Sequence, residues 1–388
     1  MSEYDYLIIG GGMTGRAAAS GIREYQPAAS IGLIGDEGHR PYKRPPLSKA
    51  LWRGEPEASV WLDPVPGVEL LLGRIAVFID RGRKRVVDDL GKAHGYRKLL
   101  LATGARPRRL GAGDDGVIYF RSLDDFCTLR ALAAGSHVGV VGGGFIGTEL
   151  AAALVTNQMK VTLFFPEANV GARLFPSGLA EYLTGYYRQR GVDVRPGVRV
   201  TGVDRGRRVL FDGGGLDVDA VVAGLGTVAN DGLARAAGLA VDDGILVDEG
   251  LRTDDPDIFA AGDGARFANE LLGARLRVEH EDNALTMGRL AGAAMTGQPV
   301  SYRHLPFFYS DLFDLGYEAI GDVDARLEVV ADWKTENREG CLYYLQNGRV
   351  RGVVTWGIFG QMDQARALIA EPGPHDPASL VGRLPRVS

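Results

Sequence analysis

Tyr6-Leu7-Ile8-Ile9-Gly10-Gly11-Gly12-Met13-Thr14-Gly15 is the stretch that decides the fold. Four apolar residues read as a short buried strand, and the glycines leave it at a tight turn. An Ala-rich stretch over residues 16–25 then reads as a helix. Residues 30–34 read as a second strand, ending at Gly35-Asp36. This is a βαβ unit with G-x-G-x-x-G at its first turn. In that pattern Gly10 makes the turn, Gly12 lets a pyrophosphate approach the backbone, and Gly15 lets helix and strand pack closely.

The same design returns 132 residues later. Residues 137–141 form a strand pattern, followed by Gly142-Gly143-Gly144-Phe145-Ile146-Gly147. A helix over 148–156 and a strand over 160–165 follow, ending at Pro166-Glu167. A dinucleotide fingerprint expects an acid about 20 residues on, where it holds a ribose hydroxyl pair. Asp36 lies 21 residues after Gly15, and Glu167 lies 20 after Gly147. Both copies meet the expectation, whereas one fingerprint alone arises readily in a chain with 55 glycines. A carboxylate at the adenosine ribose repels a 2′-phosphate, so Glu167 favours NADH over NADPH; Arg173 lies close enough in sequence to bear on that choice.

The rest of the composition narrows the class. The 388 residues give room for two or three domains, and 45% hydrophobic with 24% charged residues are globular values. A net charge of −5 argues against nucleic acid as a partner. No apolar run reaches membrane-spanning length, and the acidic start enters a strand within a few residues, so a cytoplasmic protein is expected. Cys127 and Cys341 form no metal-ligand or redox spacing. Residues 190–223 alternate short β patterns with Gly and Arg turns and read as a β-meander. From about residue 307 the texture changes, with strands over 317–320, 340–345 and 349–356 and a helix over 361–370.

Two dinucleotide units in one chain suggest a relay in which a nicotinamide passes hydride to a bound flavin. A strand over 258–261, ending at Gly262-Asp263, suits an Asp that accepts a hydrogen bond from a ribityl hydroxyl. In isolation such a Gly-Asp pair is an ordinary turn.

Together these residues resemble the pyridine nucleotide-disulfide oxidoreductases, and within them the ferredoxin-reductase and apoptosis-inducing-factor branch. Pro41-Tyr42-Lys43-Arg44-Pro45-Pro46-Leu47-Ser48-Lys49 is similar to that branch's flavin-loop signature. Ala102-Thr103-Gly104 with Pro107-Arg108 is similar to its second flavin contact. Arg277-Val278-Glu279-His280 with Ala284, and Gly316-Tyr317-Glu318-Ala319-Ile320-Gly321, resemble the apoptosis-inducing-factor side, and the match to the branch spans nearly the whole chain, including Trp356 to Phe359 and Ala365-Arg366 near the end. The departures are Glu281 in place of a second His and Tyr309 in place of a Trp.

The resemblance implies an α/β fold with two Rossmann-like domains, glutathione-reductase-like, and a C-terminal α+β interface domain. FAD is expected on residues 1–112 and 246–302, NADH on 113–245, and the interface domain on 303–388. FAD is expected at Gly10, Gly12, Thr14, Gly15, Asp36, Arg44, Lys49, Ala102, Thr103, Gly104, Arg108, Gly262, Asp263, Glu279, His280 and Ala284. NADH is expected at Gly142, Gly144, Phe145, Ile146, Gly147, Glu149, Glu167 and Gly226, with Glu318 close by.

Hydride transfer needs stacking and orientation more than acid–base catalysis. The resemblance puts the Lys49 ammonium beside flavin N5, paired with Glu149, where a cation steadies developing negative charge. Each residue has a plainer reading: Lys49 as a solvated surface lysine, Glu149 as a solvated acid at a helix N-terminus. Phe145 is either a gate over the flavin or plain core. His280, just before a helical stretch over 283–294, is either a satisfied structural histidine or part of a helix N-terminus aimed at the flavin. Three basic clusters, at 81–85, 106–109 and 205–208, could dock an acidic ferredoxin but, Arg108 apart, read rather as solvated turns and strand edges.

The expected activity is an FAD-dependent NADH oxidoreductase serving a separate acceptor: a ferredoxin-type iron–sulfur protein, a quinone or a dye. The alternative is a redox-responsive protein in which NADH-reduced FAD controls conformation or homodimer formation. An NADH oxidase or peroxidase would want a cysteine where Ser48 stands.

Overall fold

The computed structural model describes residues 2–111 and 114–384. Its contacts gather into two compact units: residues 1–43, 57–106 and 228–306 in the first, and 44–56, 107–227 and 307–388 in the second. The boundary expected between residues 112 and 113 lies outside the described residues.

In the first unit, strand Ser2–Ile9 runs parallel between Ile31–Gly35 and Ala93–Leu101. Val68–Leu72 and Ile258–Ala260 extend the sheet on either side, also in parallel. Leu7, Ile8, Leu99 and Leu100 are fully buried, as strands covered on both faces require. Each contributes about 1.5–3 kcal/mol over exposure. Helices Met13–Tyr25 and Glu281–Met295 pack against each other beside this sheet. Ala93–Leu101 also pairs antiparallel with Arg85–Asp88, which pairs with Ala76–Asp80. The sequence reading has no strand at 68–72 or 76–88. Leu70, Val77 and Phe78 are exposed there, so inside–outside alternation is blurred.

The second unit repeats the parallel design in the order Val192–Arg195, Lys160–Phe164, His137–Val141, Ala220–Ala223, Val117–Tyr119. This corrects the meander expected over 190–223. Only Val200–Asp204, Arg208–Phe211 and Gly214–Asp217 form an antiparallel meander. Val192–Arg195 and the fully buried Ala220–Ala223 belong to the parallel sheet on either side. Short β patterns carry no signal of which neighbour they pair with, hence the merger.

Residues 307–356 form a five-stranded antiparallel sheet in the order Phe307–Leu312, Leu315–Gly321, Arg349–Trp356, Glu339–Gln346, Glu328–Thr335. Helix Met362–Ala370 packs on Leu315–Gly321 and Arg349–Trp356. Trp356, fully buried, stacks on Tyr317 with ring centroids 5.5 Å apart. Among the described residues no helix is long and apolar enough to cross a membrane.

Candidate functional site

Both fingerprint helices start three residues earlier than the sequence suggests, at Met13 and Phe145, because Gly12 and Gly144 serve as their N-caps. Neither cap has a side chain to satisfy the first-turn N–H groups, which leaves them for an anion. The glycines divide by role. A Cβ on Gly15 would lie 2.0 Å from Gly10 O, and one on Gly147 would lie 1.8 Å from Gly142 O, so both crossings admit only glycine. A Cβ on Gly12 or Gly144 would meet no protein atom within 4 Å. Tight packing at the third glycine and open space at the second is the relief a bound pyrophosphate needs. The residues present therefore fit a dinucleotide in each unit.

In the first unit three chain segments converge at the carboxyl ends of neighbouring strands. Gly10 has φ +129°, and its N–H donates to Ile34 O at 2.8 Å. Ala102 to Gly104 is fixed by Asn230, whose Nδ2 donates to Thr103 O while Thr103 Oγ1 donates to Asn230 O. Gly262 turns with φ +76° so close to Thr14 that a Cβ there would lie 2.3 Å from its hydroxyl. A Cβ on Gly264 would lie 3.1 Å from both Gly104 O and Thr103 Oγ1, and the neighbouring Asp263 is buried. Asp36, exposed, directly follows the second strand, Ile31–Gly35. His280 is the N-cap of Glu281–Met295, and Ala284 is buried one turn on. Glu279 pairs with Arg277 at 2.5 Å, and Arg277 also donates to Asp263 O. Asn230 carries no motif, and nothing in the sequence singles it out.

The second unit holds the other cluster. Residues 45–53 form two short 3-10 turns anchored by Trp52, whose ring meets Phe126 edge-on at 5.3 Å and whose carbonyl accepts from Asn157 Nδ2. This fixes Ser48 and Lys49 against the helix that carries Glu149. Glu149 Oε2 accepts from Lys49 Nζ at 2.7 Å and from Ser48 Oγ at 2.6 Å, while Oε1 accepts from Ser310 Oγ at 2.6 Å. Glu149 is fully enclosed, so the reading of a solvated acid is excluded. The Lys49 ammonium also lies over the Tyr309 ring, 5.3 Å from its centroid. Burial and the Glu149 charge hold the Tyr187 and Tyr317 phenols well above their ordinary value. Ser310 went unnoticed in the sequence, since a lone serine gives no signal.

Elsewhere in this unit Arg44 Nη1 donates to Arg121 O at 2.8 Å, and the Phe145 ring meets Phe308 edge-on at 5.1 Å. Ile146 packs on Gly224, whose Cβ would lie 3.2 Å from its own. Arg108 N–H donates to Gly226 O at 2.9 Å, while its side chain is exposed. Glu167, half-buried, forms an ion pair with Arg173. Glu318 sits across from Tyr309 in the sheet and accepts from Gly360 N–H at 2.7 Å. Cys127 is exposed and Cys341 buried, both as thiols.

The basic clusters are largely neutralised within the fold. Arg81 pairs with Asp255, Arg83 and Arg85 with Asp80, and Lys84 with Asp257. Arg109 pairs with Asp114 and Arg208 with Asp217.

Comparison with known proteins agrees with this geometry. Residues 4–288 match the family described as Pyridine nucleotide-disulphide oxidoreductase, and residues 291–339 match "Apoptosis-inducing factor, mitochondrion-associated, C-term". The ferredoxin–NAD(+) reductase component of the anthranilate 1,2-dioxygenase system of Burkholderia cepacia is 36% identical over 396 residues, covering 98% of this chain and 97% of that protein. Putidaredoxin reductase CamA of Pseudomonas putida is 33% identical over 394 residues, covering 96% and 93%. The crystal structure of the covalent putidaredoxin reductase–putidaredoxin complex superposes with a TM-score of 0.90 at 32% identity, covering 98% of this chain and 96% of that one. By fold, fingerprints and relatives alike, the chain belongs to the pyridine nucleotide-disulphide oxidoreductase family.

Proposed function

We propose that this chain is an FAD-dependent NADH oxidoreductase that delivers electrons to a ferredoxin-type iron–sulfur protein. The observation that carries the reading is the matched pair of uncapped fingerprint helices, each with open space at its second glycine. The ferredoxin reductases among its relatives support the choice of acceptor.

In this reading FAD, when bound, supplies the isoalloxazine that takes a hydride and gives electrons singly. The chain's residues bind, orient and balance charge. Gly10, Gly12, Thr14 and Gly15 receive the FAD pyrophosphate, with Asp36 at its ribose and Ala102 to Gly104, Gly262, Asp263, Glu279, His280 and Ala284 along the rest. Gly142, Gly144, Ile146 and Gly147 receive NADH, with Glu167 at its ribose and Phe145, Gly226 and Glu318 nearby. Arg44, Lys49 and Arg108 add positive charge for the flavin nucleotide. Lys49, held by Glu149, supplies a fixed cation for the negative charge that hydride transfer develops.

A second reading, a redox-responsive protein whose NADH-reduced state controls conformation or homodimer formation, draws support from the apoptosis-inducing-factor match at 291–339. One experiment separates the two. The protein is purified without added flavin, its spectrum recorded, and NADH and NADPH titrated anaerobically. Bleaching by NADH that reverses quickly with ferredoxin supports the reductase. A long-wavelength band that persists in air supports the redox-responsive protein, and a colourless protein refutes both.

A further inference from the structure

We propose that Asn230 is a positioning residue for FAD, holding the Thr103–Gly104 turn at the cofactor, and that the Thr103 hydroxyl serves this clasp instead of the flavin. The inference rests on the flavoprotein reading above. Asn230 commits all four of its polar groups locally. Its N–H donates to Gly104 O at 3.0 Å, and its Nδ2 donates to Thr103 O at 2.9 Å. Its own carbonyl accepts from Thr103 Oγ1 at 2.8 Å, and its Oδ1 accepts from Arg106 Nη1 at 3.1 Å. A guanidinium only donates, so the Arg106 bond sets which end of the carboxamide faces Thr103.

A hydroxyl has one proton to give. Thr103 gives it to Asn230 O, so it has none to offer a bound cofactor. Thr103 O and Gly104 O are engaged by Asn230 as well. The turn keeps its two N–H groups, at Thr103 and Gly104, which have no partner among the described residues. Gly104 lies in the left-handed region at φ +66°, and successive N–H groups in such a turn cradle an electron-rich oxygen. FAD carries oxygens of that kind on its phosphates, its ribityl chain and its ring. Steric contact limits where the turn can go: a Cβ on Gly10 would lie 2.0 Å from Ala102 O, and one on Gly264 would lie 3.1 Å from Gly104 O. Contact of that sort keeps groups apart and holds nothing in place. Ala102 is tied through its N–H to Ile9 O at 2.8 Å, and beyond it the bonds to Asn230 do the holding.

The test uses the holoenzyme and four variants. Asn230→Ala removes the carboxamide, Thr103→Val removes the hydroxyl at nearly constant shape, and Thr103→Ser keeps it. Ser30→Ala is the control, because it removes two hydrogen bonds to Asp5 just before the amino end of strand Ile31–Gly35, away from the turn. FAD release is followed by the rise in flavin fluorescence, and visible circular dichroism reports how the bound ring is held. Asn230→Ala and Thr103→Val should each release FAD about tenfold faster than the wild type and alter the visible dichroism. Thr103→Ser and Ser30→Ala should match the wild type in both. Wild-type release from Asn230→Ala or Thr103→Val would overturn the clasp. So would release from Ser30→Ala as fast as from Asn230→Ala, since general destabilisation would then be the cause, or Thr103→Ser behaving as Thr103→Val does. Failure of the reductase reading looks different: a bound flavin that NADH does not bleach leaves the release rates and their order intact, whereas a wild type that binds no flavin removes both.

Discussion

Glu149 and Lys49, 100 positions apart in sequence, meet at 2.7 Å in a site that excludes nearly all solvent. The pairing joins two motifs that sequence presents separately: the helix opened by the second glycine fingerprint and the turn that ends Arg-Pro-Pro-Leu-Ser-Lys. A buried ion pair is stable only when hydrogen bonds satisfy its remaining lone pairs. Ser48 and Ser310 meet that need by donating to one carboxylate oxygen each. The result is a cation fixed in place before any cofactor arrives, which is the preorganisation that stabilises developing charge.

Lys49→Ala should slow reduction of the bound flavin by NADH about 10²-fold, as loss of one preorganised electrostatic donor does elsewhere. Stopped-flow bleaching measures it, and the flavin midpoint potential should fall as well. The variant also leaves a buried carboxylate without its cation, at a cost of about 3 kcal/mol in urea unfolding. Reduction kinetics that match the wild type would remove Lys49 from the site.

The two kinds of fingerprint glycine should fail differently. Gly144→Ala adds a methyl where no protein atom lies within 4 Å, on a backbone with φ −84° that alanine adopts without strain. Its stability should stay within about 0.5 kcal/mol of the wild type, while NADH affinity drops because the pyrophosphate can no longer approach. Gly12→Ala should in the same way lower FAD content alone. Gly147→Ala, by contrast, drives a methyl into Gly142 O and should lower the melting temperature. Calorimetry paired with a NADH titration distinguishes these outcomes. Equal NADH affinity in Gly144→Ala and the wild type would refute the nucleotide assignment of the second unit.

The contrast between Glu149 and Ser310 shows what the sequence could and could not reveal. Glu149 follows a fingerprint glycine by two positions, so its helix and approximate place are legible from local pattern. Ser310 lies 161 positions further on and reaches the same carboxylate only through the register of the C-terminal sheet, which local pattern does not encode. The parallel strands His137–Val141 and Ile31–Gly35 were readable because burial on both faces makes them continuously apolar. The antiparallel strands Ala76–Asp80 and Glu328–Thr335 face solvent in part and carry mixed sequences, and they were not. Asn230 shows the same limit at the first nucleotide site, since it holds Thr103 from 127 positions away.

Acid stability should depend on Asp257. Lys84 and Lys98 both donate to its carboxylate and hold its pKa below the ordinary value, fastening strand Ala93–Leu101 next to Ile258–Ala260. A carboxylate depressed on folding contributes stability above its unfolded value near about 3.9 and loses it as pH falls through the folded value. Asp257→Asn should therefore cost about 1 kcal/mol at pH ~7, and the gap from the wild type should close on acidification below pH ~3.9. Urea unfolding of both forms across that range measures it. A constant gap would mean that the charge is not what fastens the strands.

Cofactor choice should turn on Glu167. Its half-buried carboxylate follows strand Lys160–Phe164, where a ribose acid is expected, and it already engages the largely exposed Arg173. If the proposed site is right, that carboxylate repels a 2′-phosphate and holds Arg173, which would otherwise be able to welcome it. Glu167→Ser removes the repulsion and releases Arg173 together, so the ratio of kcat/KM for NADPH over NADH should rise about tenfold or more, which is about 1.4 kcal/mol of transition-state binding. Adding Arg173→Ala to Glu167→Ser should take back most of the gain in NADPH use. If the double variant keeps that gain, relief of repulsion alone explains it; if Glu167→Ser leaves the ratio where it was, the ribose is held by other residues.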